Sequence, residues 1–413
     1  MKISKTFKYR LIPSQDQDAH FSRWAGCCRF IYNWGLAARK AEWEQKNGHL
    51  SYVSQAAQLK ELKRLPETEW LSEAPAQVLQ QSLMNLDQAY KNFFTKIKNG
   101  QVGKAAGFPR FKKKGKSVDA FRFPDPSQFQ LKKVSDTKAV IKLPKIGEVK
   151  LYLSRDVEGE LRNCTVVREG KNWFISLNCE VENDYSASVQ ERTEIGIDRG
   201  IVNTLVTSEG KIYQLPIGKI KTIEQRRSVL QKRNCKKIKF SKNWIKGIRS
   251  ISALDRKISR IRLDFHHKIS TEIAKNHSYI VLEDLNIKNM SKSASGTIEN
   301  PGTNVNAKSG LNRSILRQGW YTFQTLLEYK SHWYGGYVKY VDPQNTSRKC
   351  SHCGHIEKGN RLTQEKFCCK NCGFELHADY NAAINIFTRG HRGSACGDAD
   401  VSWVDEARTT SCA

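Results

Sequence analysis

Two cysteine pairs near the carboxyl end of the chain restrict its fold more than any other feature. They read Cys350-Ser351-His352-Cys353-Gly354 and Cys369-Lys370-Asn371-Cys372-Gly373, and fifteen residues separate them. This spacing is typical of a zinc ribbon. Two thiolates two residues apart can close one edge of a tetrahedron, and glycine after the second cysteine accepts the unusual backbone angles of a knuckle turn. We therefore predict a structural zinc ion bound by Cys350, Cys353, Cys369 and Cys372.

Three other side chains in this segment could also bind zinc. Cys368 is a competing ligand, but only Cys369 repeats the Cys-x-x-Cys-Gly pattern of the first pair. We interpret His352 and His355 as residues that do not bind the metal. Because four cysteines fill the tetrahedron, the predicted zinc has no open position for a substrate and is not a catalytic metal.

The net charge indicates a polyanionic partner. The 413 residues include 69 Lys and Arg against 41 Asp and Glu, a formal net charge of +28, which suits nucleic acid or an anionic membrane. No uncharged apolar run approaches the roughly 18 to 20 residues of a membrane-spanning helix, and Met1 to Lys8 lacks the apolar segment of a signal peptide. We therefore expect no membrane partner and a cytoplasmic, nucleoid-associated protein.

Two segments concentrate this charge. Lys219 to Lys268 carries 17 basic and 3 acidic residues, half of the whole excess. Its helix formers, interrupted near Ser241 to Gly247, predict a basic helical hairpin that binds nucleic acid, and Lys236 and Lys237 are candidate contacts. A second segment, Gly107 to Lys116, interleaves five cations with two phenylalanines. We predict a loop there whose Arg110, Lys112 and Lys113 contact phosphates.

Hydrophobic periodicity predicts the remaining elements. In the first half they are a strand at Ile3 to Leu11, helices at about Gln17 to Glu44 and Ala76 to Lys98, and a β-hairpin around Glu169 to Lys171, followed by a polar boundary at Asn183 to Ser188. In the second half they are strands at Glu194 to Asp198, Asn203 to Ser208, Tyr279 to Asp284 and Val338 to Val341, a mobile loop at about Lys288 to Gly310, and helices at about Asn312 to Trp333 and Asp379 to Phe387.

Acidic residues stand at three positions where a two-metal site could form. Asp198 ends an apolar strand, Glu283 and Asp284 end another, and Asp379 precedes a helix whose alanines permit close approach to a sheet. Glu283 and Asp284 are consecutive and point to opposite faces, so at most one of them joins a given site. Mg²⁺ prefers such oxygen ligands, but each acid could equally be a structural residue at a strand end or a helix start.

These motifs occur together in one order that resembles the TnpB (OrfB) family of transposon-encoded proteins, relatives of the type V CRISPR effectors. The resemblance covers residues 1 to 388. It rests on the two cysteine pairs and on the motifs Gly196-Ile197-Asp198-Arg199-Gly200, Leu282-Glu283-Asp284-Leu285 and Asp379-Tyr380-Asn381-Ala382-Ala383-Ile384-Asn385-Ile386. Further matches are Arg29-Phe30-Ile31-Tyr32-Asn33, Tyr90-Lys91-Asn92-Phe93-Phe94 and Phe108-Pro109-Arg110-Phe111-Lys112-Lys113.

The resemblance implies a multidomain fold of the α+β and α/β classes. It implies a wedge-like β-barrel at residues 1–15 and 118–185, into which a helical recognition domain at 16–117 is inserted. An RNase H-like RuvC domain at 190–345 and 377–388 follows, with a four-cysteine zinc ribbon inserted at 346–376. We expect the tail at 389–413 to be disordered because it is polar and lacks periodicity.

The resemblance also implies an RNA-guided DNA endonuclease that cuts double-stranded DNA beside a short flanking motif. Asp198, Glu283 and Asp379 match the catalytic acids that hold two Mg²⁺ ions, which favours Glu283 over Asp284. The implied partners are a guide RNA encoded at the transposon end and double-stranded target DNA, with one protein per guide RNA. Candidate readers of the flanking motif are Tyr52, Gln77 and Gln80, with Gln81 expected to be exposed beside them.

Two alternative functions belong to other classes. The first is an RNA-guided repressor or transposition regulator that binds DNA without cutting it, but the presence of all three acids favours the nuclease. The second is a strand-transferring transposase, for which we find no tyrosine or serine context that indicates a covalent nucleophile.

Overall fold

A computed structural model describes residues 2–46, 48–182 and 192–392. The polar boundary predicted at Asn183 to Ser188 and most of the predicted tail, residues 393–413, lie outside this range. The chain divides into two compact units, and the division falls between Glu182 and Asn183. Each unit has its own β-sheet and its own hydrophobic core.

The first unit combines seven strands with three long helices. In chain order its elements are β1 (Lys2–Ile12), α1 (Gln15–Lys46), α2 (Tyr52–Leu62), α3 (Ala76–Lys98), β2 (Ala120–Phe123), β3 (Gln130–Ser135), β4 (Lys138–Leu143), β5 (Gly147–Tyr152), β6 (Glu160–Glu169) and β7 (Asn172–Glu182). The predicted first strand, both predicted helices and the predicted hairpin are confirmed.

The strands of this unit form one antiparallel sheet in the order β2-β6-β7-β1-β5-β4-β3. Phe7, Tyr9 and Leu11 of β1 are buried while the alternating Lys8 and Arg10 are exposed, as the period of two predicts. The expected closed barrel is not found, because β2 and β3 at the two ends of the order do not pair with each other.

Helices cover the core face of this sheet. Phe21, Trp24 and Ile31 of α1 are fully buried at helical spacing. The Phe21 ring lies 5.5 Å from Phe121 of β2 and 5.3 Å from Trp173 of β7, measured between ring centroids. Aromatic packing between α1 and two strands therefore joins helices and sheet into one core.

The second unit alternates strands and helices. In chain order its elements are β8 (Thr193–Asp198), β9 (Leu205–Thr207), β10 (Ile212–Tyr213), α4 (Ile217–Cys235), α5 (Lys242–Asn276), β11 (His277–Glu283), α6 (Ile287–Met290), α7 (Val305–Gln318), α8 (Trp320–Trp333), β12 (Tyr337–Val341), β13 (Lys366–Cys368), β14 (Glu375–His377) and α9 (Ala378–Arg392). Within the described residues, no helix has the length and apolar character needed to cross a membrane.

The main sheet of this unit has the strand order β10-β9-β8-β11-β12. The central strands β8, β11 and β12 run parallel, whereas β9 and β10 add antiparallel strands on one side. The last helix, α9, lies across this sheet. Gly196 of β8 permits this contact, because a Cβ at that position would lie 2.5 Å from the Ala383 carbonyl oxygen of α9. The predicted close approach through the alanines is therefore confirmed.

Three predicted boundaries in the part of this unit after β11 are wrong. The helix expected from Asn312 to Trp333 is broken at Gly319, whose φ of 69° separates α7 from α8. The loop expected from Lys288 to Gly310 is partly helical and is fastened where the Lys308 ammonium donates to the Met290 carbonyl at 2.8 Å. Finally, α9 continues to Arg392, so residues 389–392 belong to a helix.

Candidate metal centres

Three acidic side chains meet at the carboxyl end of the second sheet. Strands β8 and β11 are parallel neighbours, with Ile197 opposite Leu282, so Asp198 and Glu283 follow at the same edge. Asp379 lies in the first turn of α9, which packs on β8. We call Asp198, Glu283 and Asp379 the carboxylate site. The structure thus brings together all three predicted acids from elements far apart in sequence.

Burial dominates the electrostatics of this site, and neighbouring acids add to it at Asp198. Burial, reinforced by the charges of Glu283 and Asp379, raises the pKa of Asp198 to about 8. Burial also raises the pKa of Glu283, although the hydroxyl of Thr346 opposes this effect. A hard divalent cation would offset the desolvation of these acids and the repulsion at Asp198, and carboxylate oxygens are the donors that Mg²⁺ prefers.

The choice between Glu283 and Asp284 follows from their surroundings. Glu283 is buried, and its Oε1 accepts a hydrogen bond from Thr346 Oγ1 at 2.6 Å. Asp284 is exposed, and its main-chain N–H donates to the Val341 carbonyl at 2.8 Å, which extends the pairing with β12. Only Glu283 therefore joins the carboxylate site.

Both carboxylate oxygens of Asp379 accept hydrogen bonds from residues that sequence reasoning missed. Arg361 donates to Oδ1 at 2.9 Å and Asn203 Nδ2 donates to Oδ2 at 3.1 Å. Arg361 comes from the segment between the two cysteine pairs, and Asn203 from the turn after β8. No spacing signal indicates Arg361, whereas Asn203, five residues after Asp198, could have been suspected from its nearness in sequence.

The turn that carries Asn203 is held by Gln318, the last residue of α7. The buried Gln318 amide donates to the Ile201 carbonyl at 2.7 Å and accepts from Thr204 Oγ1 at 3.0 Å. Gln214 Nε2 also donates to Asn203 Oδ1 at 2.9 Å, which fixes the orientation of the Asn203 amide. Gln318, at the break between α7 and α8, therefore helps to position Asn203, the hydrogen-bond partner of Asp379.

Arg199, directly after Asp198, points into the protein. Its side chain is buried and donates to the main-chain carbonyl of Glu283. The same guanidinium lies 3.4 Å from Gln324 Oε1 of α8. Arg199 thus braces β8 against β11 directly behind the two acids.

The four predicted cysteines form a compact cluster. The Sγ atoms of Cys350, Cys353, Cys369 and Cys372, the cysteine cluster, all lie within 4.8 Å of one another. The Cys350–Cys372 and Cys353–Cys369 pairs are separated by 3.8 and 3.5 Å. A tetrahedron with Zn–S bonds of about 2.3 Å has edges of about 3.8 Å, so this donor set fits zinc.

Both cysteine pairs adopt the same backbone turn. The Gly354 N–H donates to the Cys350 carbonyl and the Gly373 N–H to the Cys369 carbonyl, each at 3.0 Å. The two glycines have φ values of 80° and 72°, as the knuckle prediction requires. The backbone N–H of His355 lowers the pKa of Cys353 to about 6, which favours the thiolate that binds metal.

The competing ligands lie outside the cysteine cluster. Cys368 is not among the four clustered residues. The His352 ring stacks on Phe374 with centroids 5.4 Å apart, and His355 Nε2 lies 3.1 Å from Glu357 Oε2. The selection of Cys369 by the glycine pattern agrees with this geometry.

Two asparagines of α9 connect the cysteine cluster to the carboxylate site. Asn381 Nδ2 and Asn385 Nδ2 donate to the Lys349 carbonyl at 2.8 and 2.7 Å, directly before Cys350. Asn381 Oδ1 also accepts from the Ser351 N–H at 3.0 Å. These side chains lie one helical turn apart on the helix that begins with Asp379. Their motif in the sequence indicates no such role by itself.

The candidate readers in the first unit are less accessible than expected. Tyr52, Gln77 and Gln80 are half-buried, and Gln81 is buried with its Nε2 donating to Asn85 Oδ1 at 3.0 Å. The expectation that Gln81 is exposed is therefore wrong, because α3 packs against α1 on one side and β2 on another.

Among the predicted phosphate contacts, Lys112 differs from its neighbours. Arg110 and Lys113 are exposed. Lys112 is half-buried, its ammonium lies 4.0 Å from the centroid of the Tyr32 ring, and burial lowers its pKa. Lys112 therefore serves the packing of this unit.

The basic hairpin is formed by α4 and α5, with the break at residues 236–241 and thus earlier than predicted. Lys236 and Lys237 are exposed in this break, and the Lys237 ammonium donates to the Asn243 carbonyl at 3.2 Å. A cleft of about 770 Å³ lies between the hairpin and α7, and its lining includes Arg262 and Arg313. The hairpin therefore offers cations beside a space large enough for a ligand.

Three family models match this chain. The model described as "Probable transposase" matches residues 176–294, and the one described as "Cas12f1-like, TNB domain" matches residues 320–386, which include the cysteine cluster. A "Helix-turn-helix domain" model matches residues 1–48. In this chain that segment is β1 followed by the single continuous helix α1, so the description does not fit its fold.

Relatives resemble the chain over nearly its whole length. An Escherichia coli protein named "Putative RNA-guided DNA endonuclease InsQ" is 43% identical over 96% of this chain and 95% of its own. A Streptomyces pristinaespiralis protein with the same name, apart from the InsQ designation, is 31% identical over 99% of this chain and 94% of its own. A cryo-EM structure of a Cas12f1–sgRNA–target DNA complex shares the fold, with a TM-score of 0.51, 19% identity, and coverage of 93% of this chain and 98% of that chain. The chain therefore belongs to the TnpB (OrfB) family of transposon-encoded proteins.

Proposed function

We propose that this protein is an RNA-guided endonuclease of a transposable element that cuts double-stranded DNA beside a short flanking motif. The observation that carries this proposal is the convergence of Asp198, Glu283 and Asp379 at one edge of a parallel sheet. Two relatives that match over nearly the whole chain carry endonuclease names. The guide RNA and the target DNA are the proposed partners, with one protein for each guide RNA.

We assign the parts of this function to regions of the chain. Residues 190–345 and 377–388 would form a RuvC-like nuclease domain, which the mixed order β10-β9-β8-β11-β12 supports. Residues 346–376 would form a zinc ribbon. Residues 1–15 and 118–185 would form a wedge-like sheet domain, and 16–117 a helical recognition domain.

In the proposed mechanism the carboxylate site holds the catalytic metal. Two Mg²⁺ ions bound there would supply an activated water and stabilise the leaving oxygen of a phosphodiester. Asp198, Glu283 and Asp379 would hold them, while Thr346 and Asn203 keep two of the carboxylates oriented. Arg361 already lies against Asp379 and has further N–H donors, so it would orient the scissile phosphate.

The other candidate residues bind partners in this scheme. The cysteine cluster would hold one structural Zn²⁺ ion that keeps Arg361 in place. Lys236, Lys237, Arg110 and Lys113 would contact phosphates, since all four are exposed. Tyr52, Gln77 and Gln80 would read the flanking motif, with sequence choice left to base pairing with the guide.

The test uses the full-length protein co-expressed with RNA from its own locus. The particle is incubated with Mg²⁺ and a plasmid library whose target is flanked by randomised sequence. We expect cleavage beside one flanking motif, its loss in Asp198→Ala, and its retention in Asp284→Ala, which removes an exposed acid adjacent to the site. Guided binding without cleavage by the wild type would support the RNA-guided regulator instead. Equal cleavage by wild type and Asp198→Ala would refute the assigned site.

A further inference from the structure

Three motifs that carry the family resemblance without a known role here meet at one surface of the first unit. They are Arg29–Asn33, Tyr90–Phe94 and Phe108–Lys113. The Asn33 side chain donates to the Lys112 carbonyl at 2.9 Å and accepts from the Lys112 N–H at 2.8 Å. The Phe108 ring packs edge-on against Tyr90 at 5.6 Å and Phe93 at 5.1 Å, measured between centroids. One local structure therefore accounts for all three motifs.

The outer side of this structure exposes aromatic rings. Phe94, Phe108 and Phe111, which we call the aromatic platform, are 52%, 40% and 46% exposed. The rings belong to one contiguous group, because Phe93 contacts both Phe94 and Phe108, and the Lys40 ammonium lies 5.4 Å from the centroids of both Phe108 and Phe111. Adjacent exposed rings of this size are typical of a binding surface.

The loop that presents Phe108 and Phe111 is held in one conformation. The loop begins at Gly107, whose φ is 71°. Pro109, which lies between Phe108 and Phe111 in the sequence, is buried. After the loop, the Lys113 N–H donates to Ser117 Oγ at 2.9 Å, and Arg29 pairs with Asp119 at 2.6 Å. The rings therefore lose little conformational entropy when they bind a ligand.

Unpaired cations surround the aromatic platform. Arg110, Lys113, Lys114 and Lys116 are exposed, and the part of the chain that the structure describes gives their side chains no acidic partner. The nearby acid, Asp119, is already neutralised by Arg29. Exposed rings surrounded by cations complement a ligand with flat π surfaces and regularly spaced negative charges. A nucleic-acid strand has both.

We propose that the aromatic platform stacks an unpaired base of an RNA strand while Arg110 and Lys113 contact the flanking phosphates. RNA is favoured because its loops and single strands present unstacked bases, whereas a DNA duplex does not. The proposal deepens the RNA-guided function proposed above and rests on it for the biological partner. Its test measures binding alone.

The experiment uses the zinc-bound, full-length protein in Mg²⁺-free buffer without chelator and a fluorescein-labelled single-stranded RNA of twelve adenosines. Anisotropy titrations at several salt concentrations separate stacking from phosphate contacts. We expect Phe94→Leu with Phe111→Leu to weaken binding about tenfold or more without changing the salt slope. Arg110→Gln with Lys113→Gln should instead lower the slope of log K against log salt by about 1.4.

Two further variants test the role of the rings. Phe111→Tyr keeps a π face and should bind like the wild type, while Tyr152→Leu removes an exposed ring of β5 outside the platform and should have no effect. Thermal melting confirms that each variant is folded. Wild-type affinity in the double leucine variant, or binding by Phe111→Tyr as weak as that of the double leucine variant, would overturn stacking.

A DNA duplex of twelve A·T base pairs distinguishes an unpaired base from a double helix, because the bases of the duplex are already stacked. If the leucine variants lose duplex binding as strongly as RNA binding, the assignment to an unpaired RNA base is wrong. The binding measurement needs neither Mg²⁺ nor cleavage. If the protein binds RNA through the platform but does not cut DNA in the cleavage assay, the proposed function is wrong and this inference stands.

Discussion

The cysteine cluster and the carboxylate site lie in the same unit but are built in opposite ways. The cluster repeats one short turn twice, with the same glycine bonds in both copies. The carboxylate site takes one acid each from β8, β11 and α9, and its partners Arg361 and Asn203 come from two further segments. The geometry of the cysteine cluster is determined by its short sequence motif, whereas the geometry of the carboxylate site depends on the fold of the whole unit.

The two sites also differ in the pKa values of their side chains when no metal is bound. In the cysteine cluster, backbone N–H groups favour a thiolate at Cys353, whereas the pKa values of Cys350 and Cys372 are raised. In the carboxylate site, burial, reinforced by the charges of Glu283 and Asp379, raises the pKa of Asp198. Substitutions in the two sites should therefore change different measured properties, namely zinc content, cleavage rate and melting temperature.

The largest expected effect is the loss of the cysteine cluster. Cys369→Ser removes one of four ligands, and structural zinc is worth about 10 kcal/mol or more in small zinc domains. We expect the bound zinc, measured by mass spectrometry, to fall to background and DNA cleavage to be lost. Cys368→Ser, which changes the adjacent cysteine outside the cluster, is the matched control and should keep one zinc per chain. Retention of zinc by Cys369→Ser would contradict the assignment.

The next effect concerns Arg361, the residue that connects the two sites. Arg361→Ala should lower the single-turnover cleavage rate about 100-fold or more, as removal of one preorganised donor does in other enzymes. Zinc content should stay unchanged. The exposed Lys358→Ala variant of the same segment serves as control and should cut at the wild-type rate. A rate in Arg361→Ala within twofold of wild type would show that the contact with Asp379 is only structural.

A smaller effect is the pH dependence of stability, which we expect from the carboxylate site through Asp198. The folded pKa of Asp198, about 8, lies above its ordinary value, so its contribution to stability is present below about pH 4 and is lost as pH rises towards 8. In Mg²⁺-free buffer at pH 8 without chelator, which leaves zinc bound, Asp198→Asn should therefore melt about 2 to 4 °C higher than wild type. Mg²⁺ should raise the melting temperature of the wild type more than that of the variant. A lower melting temperature for Asp198→Asn in the Mg²⁺-free buffer would contradict this sign.

The smallest effect tests the connection through α9. Asn385→Ala removes the side-chain donor that lies 2.9 Å from the Thr346 carbonyl, whereas the Lys349 carbonyl loses one of two donors and keeps the bond from Asn381. An unsatisfied buried group costs about 1 to 3 kcal/mol, so thermal melting should detect a loss of stability while zinc content is unchanged. Asn306→Ala on α7, an exposed asparagine, is the control. Unchanged stability in Asn385→Ala would show that the ribbon needs no anchor from α9.

The sequence predicts what depends on nearby residues. Hydrophobic period places β1, α1 and α3 within two residues of their observed ends, and the glycine pattern selects Cys369 over Cys368. The break at Gly319 is missed because the apolar positions on both sides continue one helical pattern. Only the packing of Gly319 against His266, where a Cβ would lie 2.9 Å from Nε2, reveals why the chain turns there.

The carboxylate site could be predicted only in part. Residue types and strand ends suggest the acids, but the choice of Glu283 needs either the family resemblance or the observed burial. Arg361, Gln318 and Asn385 are ordinary polar residues in sequence. Their roles follow from contacts across 18, 117 and 39 residues of chain, which no local pattern contains.

The position of α9 has a consequence for how the protein is made. Asp379 is synthesised 181 residues after Asp198. Helix α9, whose first turn contains Asp379, also carries the asparagines that anchor the ribbon. The carbonyl of its Gly390 accepts hydrogen bonds from the side chains of Tyr279 and Lys339. A nascent chain interrupted before this helix holds two acids, an uncovered sheet and an unanchored ribbon. If the protein has the function proposed above, products of synthesis that end before α9 lack the third acid and would not cut DNA.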